Sequence, residues 1–142
     1  MSDINYSDLH ILVIDDEPFM RKLLERLLND IGTGAISLAA NGVEGLSIVG
    51  QSRAPIDLVI CDLEMLEMPE MNGLEFVKTL RSQKNIQSSD LPVLILTGHS
   101  GEDSVRNAAS LGINGYLVKP ISRNLLEARI AKAISTPATN LD

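Results

Sequence analysis

A chain of 142 residues is the length of one ordinary domain; with 44% hydrophobic and 22% charged residues it can bury a core and is not compositionally disordered. A net charge of −7 and a pI of about 4.7 argue against direct binding to a nucleic-acid phosphate backbone. The apolar runs fall far short of the roughly 20 residues of a membrane span, Met1 to Asp8 shows no basic region followed by an apolar core, and the single Cys61 excludes an internal disulfide or a cysteine-rich metal site, so a cytoplasmic protein is expected.

Short apolar runs alternate with longer amphipathic segments. Leu9 to Ile14 is a continuous apolar run of strand length, followed by Asp15 and Asp16. Met20, Leu23, Leu24, Leu27, Leu28 and Ile31 then recur at helical spacing, with Pro18 suited to the first turn and Gly32 to the end. Ala35 to Ala39 reads as a second strand, and Asn41-Gly42-Val43-Glu44 as the cap of a helix reaching about Ser52. Asp57 to Cys61 is a third strand, ending at Asp62. Asn72-Gly73-Leu74-Glu75 repeats the capping pattern and opens a helix to about Gln83. Pro92 to Leu96 is a fourth strand, ending at Thr97. Ser100-Gly101-Glu102-Asp103 caps a fourth helix with Val105, Ala108 and Ala109 turned inward, and Gly115 to Val118 is a fifth strand ending at Lys119-Pro120. A last helix covers about Ser122 to Ile134. Residues 1–8 and 135–142 read as terminal tails around a domain of 9–134.

This alternation predicts an α/β domain, a parallel sheet with helices on both faces. Continuous apolar strands fit a sheet buried on both sides. Ligands of such a sheet bind beyond the carboxyl ends of the strands, where the polar residues stand: Asp15 and Asp16 after strand 1, Asp62 after strand 3, Thr97 after strand 4 and Lys119 after strand 5. With a strand order of 2-1-3-4-5 these groups meet in one shallow pocket. Three carboxylates brought together repel one another, and a hard divalent cation with oxygen ligands relieves that repulsion. A carboxylate can attack a phosphoryl group, and a lysine can neutralise its oxygens.

The set Asp15-Asp16, Asp62, Thr97 and Lys119-Pro120 resembles that of the response-regulator receiver family, over about Leu9 to Ile134. The resemblance implies a flavodoxin-like, doubly wound, five-stranded parallel sheet of order 2-1-3-4-5 with five helices. It also implies a Mg²⁺ (or Mn²⁺) site in which Asp16 and Asp62 bind directly and Asp15 holds a metal-bound water. Asp62 would accept a phosphoryl group from a sensor histidine kinase or a histidine phosphotransfer protein. Lys119 would contact the phosphoryl oxygens through a strand end followed by a cis peptide to Pro120. Thr97 would turn its hydroxyl to the phosphate while Tyr116 rotates inward behind it, altering a helix 4–strand 5–helix 5 face read by a downstream protein. His99, near the pocket mouth, is the position that tunes phosphoryl lifetime in the family. Catalysis would be limited to self-catalysed phosphoryl transfer and hydrolysis.

Each of these residues also has a plain structural role open to it. Taken alone, Asp16 can cap helix 1, Asp62 can be a turn residue after a strand, Thr97 can satisfy loop backbone, and Lys119 can be a solvated strand-end lysine. Tyr116 serves equally as core filler, while His10 and Cys61 read as structural residues. These plain roles must all hold together to remove the site.

One departure from the family pattern stands out. Leu63-Glu64-Met65 is followed at once by Leu66-Glu67-Met68, and removing one copy restores the usual spacing from Asp62 to Met71 and Gly73. In the family the residue two past the acceptor, here Glu64, gives its backbone carbonyl to the metal. The inserted Leu66, Glu67 and Met68 are expected to weaken metal binding and phosphorylation, or to act as a hinge for domain swapping through the 63–72 loop. A bulged loop without effect is the plain alternative. Two other functions compete: a pseudo-receiver interaction module with phosphorylation impaired by the insertion, and, remotely, a haloacid-dehalogenase-like phosphatase. The latter wants an aspartate two residues past Asp15, where Glu17 stands. Monomer and dimer both stay open, and output is expected to come from a partner protein.

Overall fold

The computed structural model describes residues 4–63, 71–84, 89–98, 106 and 109–135. Five strands, β1 (His10–Ile14), β2 (Ala35–Ala39), β3 (Leu58–Asp62), β4 (Val93–Thr97) and β5 (Tyr116–Val118), form one sheet of order β2-β1-β3-β4-β5. Every neighbouring pair is parallel. Among the described residues the α-helices are α1 (Pro18–Ile31), α2 (Gly42–Gln51), α3 (Gly73–Arg81) and α4 (Arg123–Ser135), with residues 109–111 also helical.

The pleat sends alternate side chains to opposite faces. Leu12, Ile14, Val59 and Cys61 join Phe76, Val77 and Leu80 of α3 in one core layer, with Leu46 and Val49 of α2 against it. Ile11, Val13, Leu58 and Ile60 join Leu24 and Leu28 of α1 and Leu126, Ile130 and Ala133 of α4 in the other. All five residues of β1, β3 and β4 are therefore buried, whereas the edge strands β2 and β5 keep exposed positions. The functional strand ends are held by this two-sided packing, in which each fully buried Leu or Ile contributes roughly 1.5–3 kcal/mol.

Local signals set the helix ends. Pro18 stands at the start of α1, and Gly32, at φ 103, closes it in the left-handed region. Asn41 accepts from the Glu44 N–H at 2.8 Å. Asn72 and Glu75 form a reciprocal capping box at the start of α3, with bonds of 2.9 and 3.2 Å.

Several boundaries differ from expectation. Leu9 lies before β1, closing a 3-10 turn at Tyr6–Asp8. Asp57 lies before β3: it accepts from the His10 N–H through Oδ2 at 2.8 Å and donates its own N–H to the His10 carbonyl at 2.8 Å. Asp62 belongs to β3, α3 ends at Arg81, and α4 runs from Arg123 to Ser135. Arg81 stops α3 against the chain that follows, donating to the carbonyls of Ser89, Leu91 and Gly112 at 2.7–2.9 Å. The expected cap at Ser100–Asp103, with Val105 and Ala108, lies outside the described residues, whereas Ala109 is buried. Among the described residues no helix is long and apolar enough to cross a membrane.

Candidate functional site

Parallel strands place all their carboxyl ends on one edge of the sheet. Asp15 follows β1 and is wholly buried, while Asp62 and Thr97 end β3 and β4 and are each 2% exposed. Lys119 follows β5 and donates its N–H to the Thr97 carbonyl at 2.8 Å. Its peptide to Pro120 is cis.

The charged groups converge. Lys119 Nζ lies 3.3 Å from Asp62 Oδ2, 3.8 Å from Asp15 Oδ2 and 3.9 Å from Glu17 Oε1. One carboxylate oxygen each from Asp15, Asp16, Glu17 and Asp62 fall within 4.8 Å of one another. The turn carrying the first three is held from inside: Asp15 Oδ1 accepts from the Glu17 N–H at 2.9 Å, and its carbonyl accepts from the Arg21 guanidinium at 2.7 Å. The other carboxylate oxygen, Asp15 Oδ2, is buried without a hydrogen-bond partner. Glu17, rather than Asp16, occupies the α1 cap position, and its side chain makes no capping bond.

Burial raises the Asp15 carboxyl to about 6; the Glu17 N–H opposes that shift, and Asp62 adds to it. Burial alone would lower the Lys119 ammonium, but the carboxylates of Asp62, Asp15 and Glu17 outweigh it and raise its pKa. Burial also pushes the Cys61 thiol well up, with Asp62 and Asp15 adding to the effect, so it is inert packing. His10 is buried, with Nδ1 3.1 Å from the Ala54 carbonyl and Nε2 2.7 Å from the Ser37 hydroxyl, as a structural histidine should be.

The structure thus brings Asp15, Asp16, Asp62 and Lys119 together, and ties Thr97 to them through the backbone of Lys119. Tyr116 faces outward at 42% exposure. Glu64, Leu66, Glu67, Met68 and His99 lie outside the described residues. Glu17 and Arg21 are the site neighbours that the sequence reading missed. The available signal was their place just after Asp15 and Asp16, Glu17 in the β1–α1 turn and Arg21 in the first turn of α1, where Glu17-Pro18 reads more readily as a helix start.

The arrangement, acid-rich and closed by one ammonium, suits a hard divalent cation and an incoming anion held by Lys119. Comparison with known proteins agrees with that chemistry. Residues 11–131 match the response regulator receiver domain. The chain is 31% identical over 128 residues to the chemotaxis protein CheY homolog of Campylobacter jejuni, covering 90% of this chain and 94% of the relative. It resembles a receiver domain structure from Clostridium thermocellum with a TM-score of 0.77 and 31% identity, covering 89% of this chain and 94% of the other. The structure of CheY4 of Vibrio cholerae gives 0.75 and 30%, covering 88% and 98%. With the match running from β1 into α4 and taking in all the strand ends that carry these residues, the chain belongs to the response regulator receiver domain family.

Proposed function

We propose that the chain is a phosphorylation-dependent signalling switch whose acceptor is Asp62. The observation that carries this reading is the ion pair of 3.3 Å between Lys119 Nζ and a nearly buried Asp62 at the carboxyl edge of a parallel sheet. The donor would be a phosphohistidine of a sensor histidine kinase or a histidine phosphotransfer protein in the cytoplasm. An Asp62 oxygen forms the new P–O bond as the P–N bond of the donor breaks, and the imidazole leaves with a proton.

The residues fit a resident Mg²⁺ or Mn²⁺: a buried Asp15 oxygen lacks a hydrogen-bond partner, and three further carboxylates surround it. Asp16 and Asp62 would hold the ion, with Asp15 orienting its water and the Glu64 carbonyl as a further ligand. When bound it supplies charge neutralisation to the phosphoryl oxygens. Lys119 moves its ammonium from the Asp62 carboxylate to a phosphoryl oxygen, and Thr97 donates its hydroxyl to another. Hydrogen bonds to a charged group contribute roughly 1.5–3 kcal/mol each, so these two supply about 3–6 kcal/mol. Taking a population from mostly inactive to mostly active needs roughly 5.5 kcal/mol, so phosphorylation throws the switch with little surplus.

Tyr116, exposed as Val118 and Leu125 are, would turn inward and change the face formed by β5 and the last helix, where a target protein binds. The Leu66–Met68 insertion supports a second reading, an interaction module with impaired phosphorylation.

Intact-protein mass after incubation with a small phosphodonor, with and without Mg²⁺, tests the proposal. Gain of one phosphoryl group only with Mg²⁺, absent in Asp62→Asn, is the expected result. No gain in the wild-type chain, with gain after deletion of Leu66 to Met68, would favour the second reading.

A further inference from the structure

Glu17 stands at the α1 cap position, yet its side chain makes no capping hydrogen bond. Its backbone is extended, with φ −92 and ψ 117, and its N–H is already taken by Asp15 Oδ1 at 2.9 Å. Its side chain turns to the same ammonium that binds Asp62 and Asp15, reaching Lys119 Nζ at 3.9 Å. Three carboxylates therefore already converge on one cationic centre, and a fourth, Asp16, lies within 4.8 Å of them. The buried Asp15 Oδ2, without a hydrogen-bond partner, faces Lys119 at 3.8 Å and is an oxygen short of a ligand.

We propose that Glu17 is a fourth oxygen donor of this cation site and raises its affinity for Ca²⁺ relative to Mg²⁺. This rests on the reading of the acidic cleft as a divalent-cation site. Mg²⁺ demands near-octahedral geometry at about 2.0–2.1 Å and keeps several waters, so a site with three carboxylates already gives it what it needs. Ca²⁺ takes roughly 6–8 oxygens at about 2.3–2.6 Å in adaptable geometry and gains from each further carboxylate. The Glu17 side chain is 63% exposed, so it can swing to meet a larger ion, whereas Asp15 and Asp62 are fixed by burial. Ca²⁺ would then compete with the ion that supports phosphorylation.

Calorimetric titration of the full chain with MgCl₂ and, separately, CaCl₂ tests this in the wild type, Glu17→Gln and Asp62→Asn. Glu17→Gln should lower Ca²⁺ affinity about tenfold, the size of effect typical when a residue supporting a metal site is removed, and lower Mg²⁺ affinity by less than about threefold. An equal loss for both ions would reduce Glu17 to a distant charge and overturn the proposal, as would no loss for either. Wild-type protein that binds neither ion would overturn the cation-site reading itself. Binding abolished by Asp62→Asn but indifferent to Glu17→Gln would remove only the role of Glu17.

Discussion

The Lys119 ammonium lies 3.3 Å from Asp62 Oδ2 across 57 positions of sequence, and the Lys119 N–H is tied at 2.8 Å to the carbonyl of Thr97. One backbone bond between β4 and the end of β5 therefore aims the cation at the carboxylate that ends β3. The pair is largely buried, with side-chain exposures of 18% and 2%, so its electrostatics are only weakly screened.

Lys119→Met removes the only described cation facing Asp62, Asp15 and Glu17 at once. Breaking one side of a mostly buried pair leaves the other uncompensated. In chelator the variant should lose roughly 1–3 kcal/mol of stability by urea unfolding. Added MgCl₂ should recover more stability in the variant than in the wild type, since the ion takes over the missing charge. Equal stability in chelator would mean that the ion pairs contribute nothing to the fold.

Asp15→Asn should act in the opposite sense. Burial raises the folded carboxyl from its ordinary 3.8 to about 6, so the native state holds that proton more tightly than the unfolded chain does. Stability from this group is full below about 3.8 and is lost as pH rises to about 6. Asparagine keeps the oxygen that accepts from Glu17 N–H and carries no charge. In chelator at pH 7.5 the variant should be more stable than the wild type by about 2–3 kcal/mol. The gain should vanish as pH falls from 6 to 4. An unchanged difference across that range would show that Asp15 is not the group responsible.

Gly73→Ala probes the joint between α3 and the site. A Cβ at Gly73 would meet the Asp62 carbonyl oxygen and, at 2.8 Å, Leu63 Cα, both of them backbone. Neither can swing aside, so α3 or the end of β3 must shift. The expected cost is about 1–3 kcal/mol, typical of overpacking, together with slower phosphoryl uptake because Asp62 moves. Normal stability and uptake would place that backbone contact outside the function.

The sheet was legible because its three central strands are largely apolar runs that end in, or are followed at once by, a charged or hydroxyl residue. Helix starts were legible at Asn41 and Asn72, whose side chains bond the N–H groups of Glu44 and Glu75. Asp57 misled, since an acid beside an apolar run reads as part of the strand. Its side chain instead ties the start of β3 to His10. Glu17 and Arg21 escaped for a similar reason: one precedes a proline and the other sits on a helix. Only the path of the β1–α1 turn shows that the first points at Lys119 and the second at the Asp15 carbonyl. Arg81 carries no motif at all, because its three partners are backbone carbonyls of Ser89, Leu91 and Gly112, which any residue type supplies.

Deleting Leu66 to Met68 should change function more than stability. Each end of the 64–72 segment is anchored by residues outside the added copy, Leu66 to Met68. Leu63 donates its N–H to the Leu96 carbonyl at 2.9 Å, Met71 accepts at 3.3 Å from the Gly42 N–H, and Gly73 packs on Asp62 and Leu63. Shortening a loop from nine residues to six changes its closure entropy by only about 0.4 kcal/mol, so the unfolding free energy should move by less than about 1 kcal/mol. Cation affinity should have no such buffer, because the proposed site takes a backbone carbonyl from Glu64, two residues past Asp62 and just before the added copy. The deletion should therefore tighten Mg²⁺ binding and speed phosphoryl uptake, read by calorimetry and intact mass, and remove any dimer seen by mass in solution. If affinity, uptake and mass in solution all stay as they were, the three added residues are an inert bulge, and neither impaired metal binding nor a hinge for domain exchange survives as their role.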